Sequence, residues 1–227
     1  MTGGGTRPLS HFARCSSGED TTSLMYRSPN ETSYEMKVTR EQVTENRRRI
    51  LDAASRLFRA RGFDSVTVAE VMQSAGLTHG GFYGHFSSKD DLIAQTLTHC
   101  LTMESDEPFD LQAYVAHYLS PEHRDSPADG CPFAALAAYV QRQGADARTV
   151  MSDGARTLIG RMVGDQDARA GAGPSIIGSW AAMVGAMILA RAVDDPDLSD
   201  RILDETRMLV ASTLATPETE HTARPGP

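Results

Sequence analysis

Apolar residues recur at helical spacing from residue 39 to residue 214, and no segment alternates at the two-residue period of a strand. Capping boxes at Thr39 ("TREQ") and Thr67 ("TVAE") open the first two predicted helices, and Gly62 and Gly76 end them. A third helix is predicted over 78–85, and a fourth begins at a Ser87 or Ser88 cap. Later helices are predicted near 109–119, 132–143, 146–164, 174–193 and 199–214, and Ser199 is the predicted N-cap of the last one. The pattern predicts an all-α protein.

The two ends of the chain lack this periodicity. Residues 1–38 are rich in Gly, Ser and Thr, which predicts a disordered tail. Translation that begins at Met36 is an alternative, because "MKVTREQ" runs directly into the first helix. Residues 217–227 are predicted to be frayed. Between these ends we expect an N-terminal domain over 39–103 and a C-terminal domain over 104–216.

Charge is distributed unevenly along the chain. Residues 37–100 hold 9 Lys and Arg against 7 Asp and Glu, a net charge of +2, whereas residues 101–227 hold 10 against 19, a net charge of −9. Only the N-terminal part is therefore expected to meet a polyanion. The most apolar run, 176–190, is shorter than the ~20 residues of a membrane span, so we expect a buried helix there and no membrane contact.

Three cysteines, at positions 15, 100 and 131, form neither a closed disulfide set nor a metal-ligand pattern. This favours a reducing, cytoplasmic location. His99, His117 and His123 are 18 and 6 residues apart, spacings that place no pair at i, i+4 on one helix, so no metal is expected. No catalytic arrangement stands out either, and we expect neither an enzyme nor a bound cofactor.

Residues 67–86, "TVAEVMQSA-GLT-HGGFYGHF", have the layout of a helix-turn-helix. At 100° per residue, Thr78, Phe82 and Phe86 share one side of the second helix, and this side must pack inward. Gly80, Tyr83 and Gly84 lie opposite, with His79 and Gly81 on the flanks. Glycine costs roughly 1 kcal/mol in a helix interior. Three glycines here are explained if the helix backbone approaches a partner closely.

Double-stranded DNA is the partner that these side chains suit. Tyr83, Thr78 and Lys89 carry hydroxyl and ammonium groups that commonly donate to phosphates. His79 is a candidate donor to a base edge, and the glycine face has room for a thymine methyl group. The start of the next helix, near Ser88, adds backbone N–H groups and a positive dipole end.

Residues 47–93 closely resemble the N-terminal domain of the TetR (tetracycline repressor) family. The matching elements are "A…LF…G", "T-x-x-x-[VI]", "AG" at the turn, "FYxHF" and "F-x-x-K-x-x-L". The resemblance implies a three-helix DNA-binding domain, a C-terminal helical domain that binds a small-molecule effector and dimerises, and a homodimeric repressor on a palindromic operator. Carried over by position, it implies phosphate contacts at Tyr83 and Lys89, a contact at Thr67, and a groove-facing start at Thr78, His79 and Gly80. Gly80 and Gly81 depart from the side-chain-bearing residues that are more usual there.

The predicted helix over 174–193 has one face of large apolar residues and one of small residues. We expect the large residues to fill a core and the small face to allow close approach of a second helix. The resemblance implies a four-helix dimer interface formed by the last two helices, and the candidate interface residues are Trp180, Ala182, Met183, Gly185 and Met187. The alternative is a helix buried wholly within one chain.

"DGCPF" (129–133) places Cys131 at the N-cap of a helix, because Pro132 suits the first helical position. A helix N-terminus favours thiolate, so Cys131 is a candidate sensor of electrophiles or oxidants, with a structural role as the alternative. Cys100 is expected to be structural, and residues 122–125 to be a solvated, charged linker.

A ligand-responsive repressor is therefore the leading hypothesis. A repressor that senses electrophiles or oxidants through Cys131 and a sequence-tolerant architectural DNA-binding protein are the alternatives.

Overall fold

Helices α1 (Arg40–Arg61) and α2 (Val68–Ser74) begin at the predicted caps in the computed structural model, which describes residues 39–102, 109–167 and 174–215. Thr67 and Glu70 form the complete capping box, whereas at Thr39 the hydroxyl accepts the Gln42 N–H at 3.1 Å. Gly62 and Gly76 have φ of 77° and 68°, the left-handed region that glycine occupies without strain. The predicted ends of both helices are thus confirmed.

The rest of the described chain is also helical. A 3-10 helix spans His79–Gly84, and α3 (Lys89–Leu101) follows the Ser88 N-cap. The remaining helices are α4 (Leu111–Tyr118), α5 (Pro121–Asp125), α6 (Pro132–Val140), α7 (Ala145–Asp167), α8 (Pro174–Ala192) and α9 (Pro196–Ala215). No strand occurs in the parts of the chain that the structure describes, so the all-α prediction is confirmed.

One buried core connects the first helices to the later ones. Phe58, Phe63 and Leu97 lie in the same apolar cluster as Leu136 of α6 and Leu158 of α7. A second cluster joins α4, α8 and α9 through Leu119, Met183, Met187, Leu203 and Val210. Helices α6 and α7 are therefore packed directly on the helices of the predicted N-terminal domain. The predicted tails, 1–38 and 217–227, lie outside the described residues.

Residues 121–125 form a helix rather than the predicted solvated linker. The Ser120 hydroxyl accepts the His123 N–H at 3.2 Å, and Pro121 occupies the first helical turn. His123 is only 7% exposed, and the Arg124 side chain reaches Ser199 and Asp200 of α9. The prediction was wrong because Arg124 has partners on α9, far along the chain, and because the His123 ring is buried against its neighbours.

Helix α9 begins earlier than predicted. The Asp195 carboxylate accepts the Leu198 N–H at 3.1 Å, so the chain enters the helix at Pro196. Ser199, the predicted cap, lies inside the helix, and its hydroxyl donates to the Ala190 carbonyl of α8 at 2.7 Å. At Gly164 of α7, φ is 75° and the helix is kinked, close to its predicted end. Within the described part of the chain, no helix is both long and apolar enough to cross a membrane.

Candidate nucleic-acid interface

Residues 78–86, which we call the glycine segment, contain a 3-10 helix where an α-helix was predicted. Short 3-10 helices suit a six-residue stretch with three glycines, because glycine disfavours a longer helix. Phe82 and Phe86 are 1% and 2% exposed and stack with their ring centroids 5.7 Å apart, as predicted. Thr78 is exposed, so the prediction that it packs with these rings was wrong: the helix begins only after it.

The glycines form an outer surface made of backbone. A Cβ atom added to Gly80 or Gly84 would meet nothing within 4 Å. A Cβ atom at Gly81 would lie 3.7 Å from Met72 Cε, which is an ordinary van der Waals contact. The structure thus agrees with two glycines facing away from the core and one at its margin.

Tyr83 is the most prominent side chain on this surface. It is 74% exposed, and its ring rests edge-on against Phe82 with the centroids 5.2 Å apart. His79 is exposed beside it, and the Thr78 hydroxyl does not cap the 3-10 helix. The predicted groove-facing residues are therefore brought together on one exposed segment.

Lys89 lies at the first position of α3, next to the glycine segment. Asp91, two residues further along the same turn, already has hydrogen-bond partners. Its carboxylate accepts the N–H and hydroxyl of Ser87 at 2.8 and 3.0 Å and the side-chain amide of Gln95. The hydrogen bond from Gln95, with that from Ser87, lowers the pKa of Asp91. Asp90 is exposed in the same turn and partly offsets the positive charge of Lys89.

Thr67 is exposed at the start of α2, but its hydroxyl is already in use. It donates to Glu70 Oε2 at 2.8 Å and accepts the Glu70 N–H at 3.2 Å. Hydrogen bonds from Thr67, joined by Arg61, hold the pKa of Glu70 at about 2. Thr67 therefore secures the orientation of α2, and a contact to DNA from its hydroxyl must share this capping box.

Two arginines that the sequence-based predictions did not include hold the helix-turn-helix together. Arg47 Nη1 donates to the His85 carbonyl at 2.6 Å, and its guanidinium lies 4.7 Å from the centre of the Phe86 ring. Arg49 Nη2 donates to the Ala75 carbonyl at the turn. The only hint of these two arginines in the sequence was the "RRR" run at 47–49. Its middle residue, Arg48, pairs instead with exposed acidic residues of α1.

The candidate dimer residues separate into two groups. Met183 and Met187 are at most 1% exposed in the chain's own core, so their assignment to a dimer interface is corrected. Trp180 packs edge-on against Phe133 at 5.0 Å, also within the chain, whereas Ala182 and Gly185 are partly exposed. Among the described residues of these last two helices, the exposed large apolar side chains are Ile177, Ile188, Leu189, Leu198, Met208 and Leu209.

Cys131 is the N-cap of α6, as predicted, and its backbone N–H donates to His123 Nε2 at 2.9 Å. Cys100 and Cys131 line one cavity beside α4, and burial raises the pKa of the Cys100 thiol to about 11. His99 Nε2 is hydrogen-bonded to Asp52 Oδ1 at 2.7 Å. Among the described residues, no group of three or more His, Cys, Asp or Glu side chains is arranged to hold a metal ion.

Helices α1 and α2, the turn at Gly76 and the glycine segment together define a helix-turn-helix domain joined to a larger helical region. Residues 50–96 match the family described as "Bacterial regulatory proteins, tetR family". This match covers 47 of the 227 residues and lies within the helix-turn-helix region, so the likeness to that family is shown for this part of the chain.

The similarity in sequence is concentrated in this domain. The chain is 40% identical over 57 residues to the HTH-type transcriptional regulator AcrR of Shigella flexneri, covering 25% of this chain and 26% of that protein. It is 39% identical over 59 residues to the regulator TtgR of Pseudomonas putida, covering 26% and 28%. The match thus spans about a quarter of the length of these curated relatives.

Similarity in fold extends over most of the chain. The reduced form of NemR from E. coli has a TM-score of 0.60 at 23% identity, over 77% of this chain and 100% of that one. A TetR-family regulator from Agrobacterium tumefaciens has a TM-score of 0.56 at 20% identity, over 75% and 98%. At these identities the likeness establishes the shared fold.

Proposed function

We propose that this protein is a DNA-binding transcriptional regulator that responds to a small molecule. It acts in the cytoplasm as a homodimer, occupies a palindromic operator near its target operon, and represses that operon until an effector releases it. It is a regulator rather than an enzyme. The proposal rests mainly on the glycine segment, which exposes its backbone on one side and buries Phe82 and Phe86 on the other.

This surface suits the major groove for a steric and an electrostatic reason. Since Gly80 and Gly84 carry no side chain, the backbone can approach base edges more closely than an ordinary helix can. Tyr83 and Lys89 flank the glycines and supply donors for the phosphates on either side. Arg47 and Arg49 bind backbone carbonyls, so they stiffen the domain rather than contact DNA directly.

The proposed dimer uses the exposed apolar side chains of α8 and α9. Leu189, Met208 and Leu209 are each more than half exposed in the single chain. Several exposed apolar side chains on two neighbouring helices are typical of an association site, and a two-fold pairing would bury the same side chains on both copies. Such a dimer would present its two glycine segments to successive major grooves, about 34–36 Å apart.

The test of DNA binding starts from a library of random DNA duplexes. Duplexes enriched by the purified protein are then measured by fluorescence anisotropy against excess random competitor, over a range of salt concentrations. We expect a palindromic consensus, competitor-resistant binding, and loss of that binding in Tyr83→Ala. Lys89→Ala should weaken binding to all sequences and reduce the salt slope by about 0.9 for each phosphate that is no longer neutralised.

Arg156→Ala is the matched control, because it removes an exposed cation of α7, a helix outside both the helix-turn-helix and the proposed dimer surface. It should leave both affinity and salt slope unchanged. Equal affinity for enriched and random DNA would favour the architectural alternative, and absence of binding would contradict the proposal.

Dimerisation is tested separately by light scattering. Met208→Glu places a charge on the proposed interface and should yield monomers. Val43→Glu, at a 41% exposed apolar position on α1, is the control and should remain dimeric. A Met208→Glu protein that is still dimeric would place the interface elsewhere.

A further inference from the structure

A cavity of about 200 Å³ lies between the end of α3, helix α4, the loop before α6, and α7. Its walls are mainly aromatic and aliphatic and include Leu101, Tyr114, Tyr118, Phe133 and Leu158. A cavity of ~150 Å³ in another protein holds benzene, so this one has room for a molecule with a single six-membered ring.

Cys131 supplies a nucleophile at the edge of this cavity. It is partly exposed, and its side chain makes no capping hydrogen bond to α6. Its backbone N–H donates to His123 Nε2. Its sulfur lies at the N-terminus of a nine-residue helix, where a negative charge is favoured.

Two guanidinium groups approach the same position from other helices. Arg59 Nη1 donates to the Gly130 carbonyl at 2.7 Å, and Arg191 Nη2 donates to the His123 carbonyl at 2.6 Å. Both interact electrostatically with Cys131. Among the described residues, neither guanidinium has a carboxylate within ion-pair distance. The sequence alone did not reveal that these two guanidinium groups lie near Cys131, in surroundings that also hold the carboxylates of Asp129 and Asp125.

The cavity also contains a buried hydroxyl, that of Tyr118, which interacts with the Cys131 side chain but makes no hydrogen bond within ordinary geometric limits among the described residues. Tyr118 is 2% exposed. Burial, together with the neighbouring Cys131, raises the pKa of Tyr118, so the hydroxyl keeps its proton. A buried donor that makes no hydrogen bond of ordinary geometry costs free energy that an acceptor on a ligand would recover. Cys100, in contrast, already donates to the Leu97 carbonyl.

We propose that this cavity binds a small cyclic α,β-unsaturated ketone, with the Tyr118 hydroxyl donating to the ketone oxygen and the Cys131 sulfur adding to the β-carbon. One S–C bond forms as the C=C π bond opens, and its electron pair moves towards the oxygen held by Tyr118. The thiol proton passes to water, and the enolate takes a proton from water at the α-carbon. No oxidant and no leaving group are required.

His123 positions the nucleophile without acting as its base. Nδ1 lies 2.7 Å from the Tyr118 carbonyl, and Nε2 accepts the Cys131 N–H, so both nitrogens are occupied. The ring thus fixes the backbone of Cys131 relative to α4.

An adduct at this site would be coupled to the helix-turn-helix, a step that rests on the proposed function. The Gly130 carbonyl and the Asp129 carboxylate are both bound by arginines of α1, Arg59 and Arg56. Leu101, at the other wall, is the last residue of α3, whose first residue is Lys89. Displacement of either wall therefore moves a helix of the DNA-binding domain.

The site is tested without DNA, by intact-mass spectrometry of the full chain exposed to cyclohex-2-en-1-one. A Cys15→Ser background is used, because Cys15 lies outside the described residues. We expect one adduct per chain, which is lost in Cys131→Ser and kept in Cys100→Ser. Tyr118→Phe should slow addition about tenfold, the factor that one ordinary hydrogen bond provides. Saturated cyclohexanone should bind without reacting and protect Cys131 from the enone.

Addition at Cys100, or addition at Cys131 that neither cyclohexanone nor Tyr118→Phe slows, would overturn the proposal. If Tyr118→Phe fails to fold by circular dichroism, protection by cyclohexanone still decides. The operator-binding assay above is independent of this result. Specific DNA binding without an adduct would refute only the enone site, and an adduct without specific DNA binding would refute only the regulatory function.

Discussion

The turn at Gly76 and the loop at Gly130 lie in two regions of the molecule, and each packs against an arginine side chain that leaves no room for a Cβ atom. At each, an arginine guanidinium occupies the space that a side chain would need: a Cβ atom at Gly76 would lie 2.7 Å from Arg49 Nη2, and one at Gly130 would lie 2.8 Å from Arg191 Nη2. Both arginines donate to nearby backbone carbonyls. The two glycines differ in how far along the chain the neighbouring arginine lies and in whether a second side chain is also in contact.

Gly76 is required by its backbone as well as by its neighbour. Its φ of 68° is unfavourable for other residues, and Arg49 comes from the adjacent α1. Gly130 has no such φ, and its neighbours are brought together from α5 and α8, since His123 Nε2 also lies 2.8 Å from the Cβ position. The first turn depends on local conformation, whereas the second depends on tertiary packing.

The largest effect is expected from Gly130→Ala. The new methyl group must displace the His123 ring, which two hydrogen bonds hold in place, so we expect a loss of about 1–3 kcal/mol in the free energy of unfolding. Urea denaturation measures this loss. Gly160→Ala on α7, where a Cβ atom would meet nothing within 4 Å, is the control and should stabilise by about 0.5–1 kcal/mol. Equal effects at the two positions would contradict the packing argument.

A smaller loss, about 1–2 kcal/mol, is expected for Gly76→Ala because alanine must adopt the left-handed conformation. Gly76→Asn should lose less, since asparagine tolerates that conformation better. Arg49 is flexible at its far end and can move aside. If asparagine and alanine destabilise equally by thermal denaturation, the contact with Arg49 matters more than φ.

This contrast explains which parts of the fold could be predicted from the sequence. The caps at Thr67 and Ser88 and the turn at Gly76 use partners only a few residues away, so local patterns were sufficient. Helix α5 was missed because the partners of Arg124 lie on α9, more than 70 residues further along the chain. Charged residues in a short segment indicate a solvated linker unless those distant partners are known.

The candidate DNA-binding surface shows the same division. The exposure of Gly80, Gly84 and Tyr83 followed from helical spacing and the two buried phenylalanines. The role of Arg47 and Arg49 did not, because their acceptors are carbonyls that only the tertiary fold places beside α1. Similarly, the burial of Met183 and Met187 depends on α4 and α9, which the periodicity of α8 alone cannot reveal.

Gly80→Ala should separate DNA binding from stability. Its Cβ atom would meet no protein atom within 4 Å, so stability should change by less than about 1 kcal/mol. If the backbone approaches base edges closely, the same methyl group should weaken operator affinity about tenfold in the anisotropy assay. Gly144→Ala, also in open space but in the C-terminal region, is the control. Unchanged affinity would remove the close-approach explanation for the glycines.

The smallest effect is expected from pH, through one histidine in each region. Burial lowers the pKa of both His123 and His85, with Arg191 and His117 adding to the effect at His123 and Arg47 at His85. The hydrogen bond to the Tyr118 carbonyl partly opposes it at His123. Both rings are thus favoured in the neutral form in the folded chain.

Their contribution to stability has a definite sign. In the unfolded chain these histidines titrate near 6.5, so below that pH the unfolded state binds more protons than the folded state. Stability should be constant above about pH 7.5 and decrease as pH falls from 7 to 5.5, before carboxylates titrate. His123→Gln should flatten this decrease more than His85→Gln, because His123 is the more deeply buried. Thermal denaturation across this range measures both, and equal slopes in the wild type and the two variants would contradict the prediction.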